Sequence, residues 1–167
     1  EEIQTKKYAE EKDIIYLSTP FSREAADRLE KMDVPAFKIG SGECNNTPLI
    51  EHMAKKGRPV ILSSGMNDMN SIKKSVSILN KYKVEYAIMQ CTSMYPAPYS
   101  KVNLGGITEL INDFQVPVGL SDHSCGNYTC LGAVALGASI LEKHFTVSMD
   151  WPGPDILYPY PFTAAII

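Results

Sequence analysis

Short apolar runs, polar or glycine-rich turns and longer amphipathic segments follow one another along the whole chain. Continuous apolar runs predict buried strands, and apolar residues at helical spacing predict helices. The predicted strands cover 14–18, 36–39, 60–63, 86–91, 118–120 and 139–145, and the predicted helices cover 1–12, 23–32, 48–56, 69–82, 106–113 and 128–136. This alternation indicates βαβ units and a parallel sheet that is covered on both faces. Asn46 is predicted to cap the helix that begins near Pro48, and Asn67 or Asp68 is predicted to cap the next one.

Six such units fit two α/β folds, an open doubly wound sheet or six of the eight units of a (β/α)8 TIM barrel. Polar residues follow nearly every predicted strand, namely Thr19, Ser41, Ser63, Ser93, Ser121 and Thr146. An open sheet concentrates its chemistry near one switch point, whereas a barrel carries functional residues on all of its loops. The distribution favours the barrel, and we expect residues 1–167 to form part of one.

The composition excludes several other classes of protein. The 167 residues are 44% hydrophobic and 21% charged, with a formal net charge of −3, and no basic stripe suggests nucleic-acid binding. Neither a membrane-spanning apolar run nor a signal peptide is recognisable, so a cytoplasmic protein is expected. The cysteines are too few and too irregularly spaced for a disulfide framework or a zinc knuckle; they are Cys44, Cys91, Cys125 and Cys130.

Two histidines stand at the ends of consecutive apolar runs. His123 ends the run Pro117-Val-Gly-Leu-Ser-Asp-His, and His144 follows Ser139-Ile-Leu-Glu-Lys. If the two strands are parallel neighbours, both imidazoles emerge side by side at one rim of the sheet. That arrangement suits a divalent metal with open coordination positions. Structural histidines at strand ends are the alternative.

The pleat of these strands adds an expectation, because residues two apart share a face. Ser121 therefore points the same way as His123, and Glu142 the same way as the second histidine. A carboxylate inside a barrel requires a cation or a proton. Lys38 is a candidate partner for Glu142, and a surface lysine such as Lys143 is the alternative.

A candidate anion pocket lies earlier in the chain. Lys38 occupies an apolar run, and a buried ammonium is costly without an accompanying anion. The segment Gly40-Ser-Gly-Glu43 follows at once and offers converging backbone N–H groups, a hydroxyl and a carboxylate. This composition predicts a site for phosphate or carboxylate, although the spacing matches no known phosphate-loop motif. A surface lysine at a strand end is the alternative.

Five runs occur in a fixed order: Lys38-Ile-Gly-Ser-Gly-Glu-Cys-Asn-Asn, Leu62-Ser-Ser-Gly-Met, Gln90-Cys-Thr-Ser-Met-Tyr-Pro, Gly119-Leu-Ser-Asp-His and Leu141-Glu-Lys-His-Phe-Thr. Together they closely resemble the sialic acid synthase family, and the match extends from about Ile14 to Asp155. Members of that family condense phosphoenolpyruvate with an N-acylated amino sugar, typically N-acetylmannosamine, and water to give a nonulosonic acid and phosphate. The resemblance implies a TIM barrel that uses Mn²⁺, with Mg²⁺ or Co²⁺ as possible substitutes.

The resemblance also implies roles for individual residues. His123 and His144 are expected to ligate the metal, while Glu43, Lys38 and Tyr95 are expected to act in catalysis, Glu43 as the carboxylate that handles a proton. The expected substrate contacts are Thr19, Lys38, Ser41, Ser63, Ser93, Ser121 and Asp155, the last on the sugar side.

The family's first strands and its C-terminal antifreeze-like domain have no counterpart in these 167 residues. That domain reaches across a homodimer, so the resemblance implies a dimeric full-length protein. The amino sugar is left open, because synthases of sialic, legionaminic and related acids share this core. Two other functions also stay open: another metal-dependent TIM-barrel aldolase or hydrolase, and a barrel fragment without catalytic activity.

Overall fold

The computed structural model describes residues 1–144 and residue 148. The α-helices there are Glu2–Glu10 (α1), Arg23–Lys31 (α2), Thr47–Ala54 (α3), Met69–Lys81 (α4), Gly105–Phe114 (α5) and Tyr128–Ala135 (α6). The strands are Phe37–Ile39 (β1), Val60–Ser63 (β2), Tyr86–Cys91 (β3), Val118–Asp122 (β4) and Ile140–Lys143 (β5). Short 3-10 turns cover Ser41–Glu43 and Tyr99–Lys101. A helix follows each of the first four strands, which confirms the predicted βα repeat.

The five strands form one sheet in the chain order β1-β2-β3-β4-β5. Parallel pairing joins β1 to β2, β3 to β4 and β4 to β5. Parallel neighbours end at the same edge of a sheet, and this is where α/β proteins carry their functional residues.

Residues 14–18 are not a strand, which corrects the predicted number of strands. The segment lies beside β1, where the carbonyl oxygen of Ser18 accepts a hydrogen bond of 3.4 Å from the amide of Lys38. The side chains of Ile14 and Ile15 are 61% and 75% exposed, so the apolar run that suggested a strand is not buried. A strand is defined by a ladder of backbone bonds, which apolar composition alone does not predict. The predicted end of the last strand at 145 lies outside the described residues.

The first compact unit comprises residues 1–62 and 68–86. Its fully buried core includes Leu29, Phe37, Ile50, Leu62 and Leu79. Side-chain caps fix the starts of two helices, as the sequence predicts: Asn46 caps α3 and Asp68 caps α4. These caps determine where each helix leaves the turn that follows β1 or β2.

The second compact unit comprises residues 63–67 and the residues from 87 onward. Its core includes the buried side chains Ile88, Met89, Ile107 and Leu120. Gly119 in β4 allows a close approach, since an added Cβ would overlap the carbonyl oxygen of Ile140 and the sulfur of Met89. Glycine at this position therefore lets β3, β4 and β5 pack tightly just before the residues of the candidate site.

Candidate active site

His123 lies immediately after β4 and is buried, with 7% of its surface exposed. Its Nδ1 is 3.0 Å from the carbonyl oxygen of Thr92. A carbonyl only accepts hydrogen bonds, so this contact assigns the proton to Nδ1 and leaves the Nε2 lone pair for a ligand. Histidines that bind metals are commonly oriented by such a bond from the second ring nitrogen.

His144 directly follows β5, and its ring centroid lies 5.1 Å from that of His123. The ring of Tyr95 contacts both, with centroids 4.2 Å from His123 and 5.6 Å from His144. His144 is exposed and Tyr95 is half exposed, so the group opens to solvent on one side. The structure therefore brings together the two predicted metal ligands and the predicted active-site tyrosine.

The predicted pleat of β4 and β5 is confirmed. Ser121 is the register partner of Glu142, and its Oγ donates a 3.3 Å hydrogen bond to Glu142 Oε1. The ammonium of Lys143, the alternative partner of Glu142, is largely buried and pairs with Asp122 at 2.6 Å. Pairing of Glu142 with Lys38 stays a prediction.

The environment of His123 also shifts its protonation equilibrium. Burial lowers the pKa of His123, but its contacts with Cys91 and Thr92 and a nearby carboxylate outweigh burial and raise the pKa above its ordinary value of 6.5. Cys91 Sγ lies 3.9 Å from His123 Nδ1 and also 3.9 Å from Ser93 Oγ. Ser93 and the imidazole of His123 therefore share Cys91 as a neighbour. Ser63 is buried at the end of β2.

The main feature that the sequence did not predict is a buried polar network around Asp122. Its carboxylate accepts hydrogen bonds from Lys143, Thr129 and Ser124. Burial alone would raise the pKa of Asp122, but these donors outweigh it and hold the pKa below its ordinary value. A lysine twenty-one positions away is not identifiable as a partner without the register of the strands.

In the first compact unit, the predicted anion-binding residues lie in and just after β1. Lys38 is buried within the strand, with 8% of its surface exposed. Ser41 and Glu43 belong to the 3-10 turn that follows. A Cβ added at Gly40 would lie 3.6 Å from Cγ2 of Thr19, so Thr19 borders this turn. The structure therefore groups four of the predicted substrate-binding and catalytic residues.

Asn46 makes two contacts at this turn, and the sequence predicted only the one that caps α3. Its Oδ1 accepts a 3.3 Å hydrogen bond from the amide of Leu49, which is the predicted cap of α3. Its Nδ2 donates a 2.5 Å hydrogen bond to Glu43 Oε2. The same side chain thus begins the helix and orients the predicted catalytic carboxylate.

The described part of the chain contains neither the predicted sugar-side residue nor a complete set of metal ligands. Asp155 lies outside the described residues. Within residues 1–144 and 148, no group of three or more His, Cys, Asp and Glu side chains is arranged to hold a metal ion. A metal at the two imidazoles would therefore need further ligands from water, substrate or other parts of the protein.

The chain belongs to the NeuB family, whose model matches residues 1–160. It is 46% identical to an uncharacterised protein of Methanocaldococcus jannaschii over 91% of this chain and 45% of that one. It is 40% identical to the N,N'-diacetyllegionaminic acid synthase of Campylobacter jejuni over 89% of this chain and 45% of that one. The chain therefore spans about half the length of these relatives.

A solved structure of N-acetylneuraminic acid (sialic acid) synthetase from Leptospira borgpetersenii matches with a TM-score of 0.92 at 35% identity. The match covers 95% of this chain and 56% of that one. It confirms the predicted fold class, since the parallel α/β sheet of five strands corresponds to a fragment of a TIM barrel.

In the described part of the chain, every helix is too short or too polar to cross a lipid bilayer.

Proposed function

We propose that the intact protein condenses phosphoenolpyruvate with an N-acylated amino sugar, N-acetylmannosamine or a relative, and water to give a sialic-type nonulosonic acid and phosphate. Membership of the NeuB family and the likeness to named sialic and legionaminic acid synthases support this reaction class. The observation that carries the proposal is the oriented pair of imidazoles, His123 and His144, with ring centroids 5.1 Å apart.

We assign His123 and His144 as ligands of a divalent ion, Mn²⁺ in the first instance and Mg²⁺ or Co²⁺ as substitutes. The donor set fits such an ion, because the bond from His123 to the Thr92 carbonyl leaves Nε2 as a ligand atom. With two imidazoles from the described residues, oxygen atoms of substrate and water would complete a mixed nitrogen–oxygen set. A bound ion would polarise the aldehyde carbonyl of the sugar as a Lewis acid.

Lys38 is proposed to bind the phosphate of phosphoenolpyruvate. The position of Lys38 supports this role, because the residue is buried in β1 directly before the glycine-containing turn. Ser41 and Thr19 border the same turn and would donate hydroxyl hydrogen bonds to the phosphate or carboxylate. In the other compact unit, Ser63, Ser93 and Ser121 are proposed as substrate contacts. From the family resemblance alone, Asp155 is proposed as a contact on the sugar side.

Glu43 is proposed to handle the proton of the attacking water. In the reaction, C3 of phosphoenolpyruvate forms a bond to the aldehyde carbon, positive charge develops at C2, water adds there, and the intermediate expels phosphate. Asn46 holds Oε2 of Glu43, which leaves Oε1 to orient the water and accept its proton. The ring of Tyr95 contacts both imidazoles, so we place it in the lining of the site beside the metal ligands.

The test is an assay of phosphate release by the intact protein with Mn²⁺, phosphoenolpyruvate and a panel of N-acylated hexosamines. Release that requires both substrates and Mn²⁺, with a nonulosonic acid as the product, is expected. Hydrolysis of phosphoenolpyruvate alone, or reaction with an unrelated aldehyde, would instead indicate another barrel aldolase or hydrolase. Absence of turnover with every sugar would indicate a protein without this activity.

His52 offers a matched control for the metal ligands. It lies on α3 in the first compact unit, where its Nε2 is 2.7 Å from Asp27 Oδ1. We expect His52→Ala to keep Mn²⁺-dependent turnover, in contrast to His123→Ala.

We also propose, from the family resemblance, that the intact protein is a cytoplasmic homodimer. Light scattering after gel filtration tests the assembly, and a monomer at micromolar concentration would contradict it.

A further inference from the structure

A buried ion pair lies directly behind the two imidazoles. Asp122 immediately precedes His123 in the chain, and Lys143 immediately precedes His144. The two residues are register partners in β4 and β5. Because successive side chains of a strand point to opposite faces, the ion pair lies on the face opposite the candidate site.

The pair is part of a dense set of hydrogen bonds. The carboxylate of Asp122 is fully buried, and it accepts from Lys143 Nζ at 2.6 Å, Thr129 Oγ1 at 2.7 Å and the Ser124 amide at 2.9 Å. The hydroxyl of Ser124 is a further donor at 3.1 Å. The ammonium of Lys143 also donates to the carbonyl oxygen of Ser124 at 2.7 Å. Each charge is therefore satisfied by more than its ionic partner.

These contacts connect the two histidines through their chain neighbours. The ammonium bonds the carbonyl of Ser124, the residue after His123, while its own backbone leads into His144. Thr129 adds α6 to the same network. A change in the separation of the two backbone segments that carry the imidazoles would therefore have to stretch or break bonds in the buried network.

Overall stability does not explain this arrangement well. Removing two charges from water is costly, and buried ion pairs often stabilise a fold no more than apolar residues of the same shape. Their best attested benefit is to select one geometry among several. Metal sites are where such selection matters, because ligand spacing and the support behind the ligands govern affinity.

We propose that the ion pair of Asp122 and Lys143 is a positioning element that sets the separation of His123 and His144 and thereby the affinity of the site for a divalent cation. This inference rests on the proposed function for the role of the two histidines as metal ligands. It assigns Asp122 and Lys143 no contact with substrate.

The main test is the double variant Asp122→Asn with Lys143→Met in the intact protein. It removes both charges at once and nearly keeps their shapes, so the fold is expected to remain. We expect the Kd for Mn²⁺, measured by calorimetry without substrates, to rise about tenfold, the lower end of what loss of support behind metal ligands costs. With Co²⁺ as the probe, the visible absorption bands should shift, which reports ligand geometry directly.

Two further variants keep the test decisive. Lys143→Arg, made as a single substitution, keeps a donor cation beside Asp122 and should retain most of the affinity for Mn²⁺. Thr129→Val removes one donor to Asp122 while keeping both charges, so it should weaken Mn²⁺ binding in the same direction by a smaller factor, even if the double variant does not fold.

Lys56→Met is the matched control. Lys56 also pairs with carboxylates, Asp27 at 2.5 Å and Glu30 at 2.6 Å, but it joins α2 to the turn after α3 in the other compact unit. Its removal should leave the Kd for Mn²⁺ unchanged.

The outcomes separate this inference from the proposed function. An unchanged Kd and an unchanged Co²⁺ spectrum in a folded double variant would overturn the inference alone. Equal weakening by Lys56→Met would also overturn it, because the effect would then follow from general destabilisation. Loss of the predicted sugar-dependent phosphate release with intact Mn²⁺ binding would overturn only the proposed function. A protein that binds no Mn²⁺ at all would overturn the metal assignment and the inference together.

Discussion

In the second compact unit, the candidate metal ligands stand on two paired strands with a buried ion pair behind them. In the first, the candidate anion-binding residues lie in one short strand and a 3-10 turn, where Asn46 holds Glu43. The metal ligands are supported by strand register and buried charges. The anion-binding turn is supported by a half-buried helix cap.

The difference corresponds to what each kind of ligand requires. A metal ion fixes ligand distances closely, so its imidazoles need rigid support before the ion arrives. A phosphate or carboxylate is bound by several hydrogen-bond donors, and a turn supplies them from backbone and hydroxyl groups. We therefore expect substitutions at the imidazoles to act as all-or-none changes, and substitutions in the turn to give graded effects on separate steps.

The largest effect is expected from His123→Ala. Removing one of two imidazoles should abolish Mn²⁺-dependent phosphate release and Mn²⁺ binding, because a water molecule at the vacated position would not be held in place by the protein as the imidazole is. Circular dichroism should show a retained fold, with His52→Ala as the control that keeps activity. Substantial Mn²⁺-dependent turnover in His123→Ala would show that the rigid pair is not the metal site.

Glu43→Gln should give the next largest effect. The amide keeps the shape of the side chain but cannot accept the proton of water, so turnover should fall by about 10²–10⁴-fold. Binding of phosphoenolpyruvate should be nearly unchanged in a calorimetric titration. Glu85→Gln, at an exposed position before β3, is the control that should leave turnover unaltered. A defect confined to binding would make Glu43 a structural residue of the turn.

Lys38→Met should act on binding rather than on chemistry. Loss of a charge-assisted contact to phosphate typically costs about 1.5–3 kcal/mol, or roughly ten- to a hundredfold in affinity for phosphoenolpyruvate. The fold should persist, because methionine suits a buried position between apolar neighbours. Single-turnover phosphate release at saturating substrate should change much less than affinity. If Lys38→Met and Glu43→Gln share one binding defect, the two residues do not serve separate steps.

The comparison also shows what the sequence could predict. Continuous apolar runs located β2 and β3 with the observed bounds, since a buried strand in a parallel sheet is apolar on both faces. The side-chain parity of β4 and β5 correctly placed Ser121 and Glu142 on the face of the histidines. These features depend on local pattern, which the sequence contains.

The features that the sequence did not predict depend on tertiary context. The partner of Lys143 is set by the register that pairs β5 with β4, and its network is completed by Thr129 from the next helix. The contact of Asn46 with Glu43 depends on the path of the 3-10 turn, although the role of Asn46 as a cap was predicted. Residues 14–18 have the composition of a strand, but they do not form the ladder of backbone bonds that defines one.

The smallest effect concerns the ion network between α2 and α3, which joins exposed carboxylates to Lys56. Hydrogen bonds from Lys56 and then from His52 hold the pKa of Asp27 below its ordinary value of 3.8. The folded state therefore favours the ionised carboxylate, and this contribution to stability is complete above pH 3.8 and is lost as the pH falls through the lower, folded-state value. Solvent screens exposed pairs, so the contribution is small.

Urea unfolding of the unaltered protein and of Lys56→Met should accordingly differ slightly at neutral pH and converge at a pH well below 3.8. Lys74→Met, which removes an exposed lysine of α4, is the control that should match the unaltered protein at both pH values. A difference that stays the same as the pH falls would mean that Lys56 stabilises the fold by packing of its aliphatic stem rather than through Asp27. This network and the pair His123 and His144 belong to different compact units, so neither substitution should alter the affinity for Mn²⁺. A loss of affinity would show that the two units do not support their ligands independently.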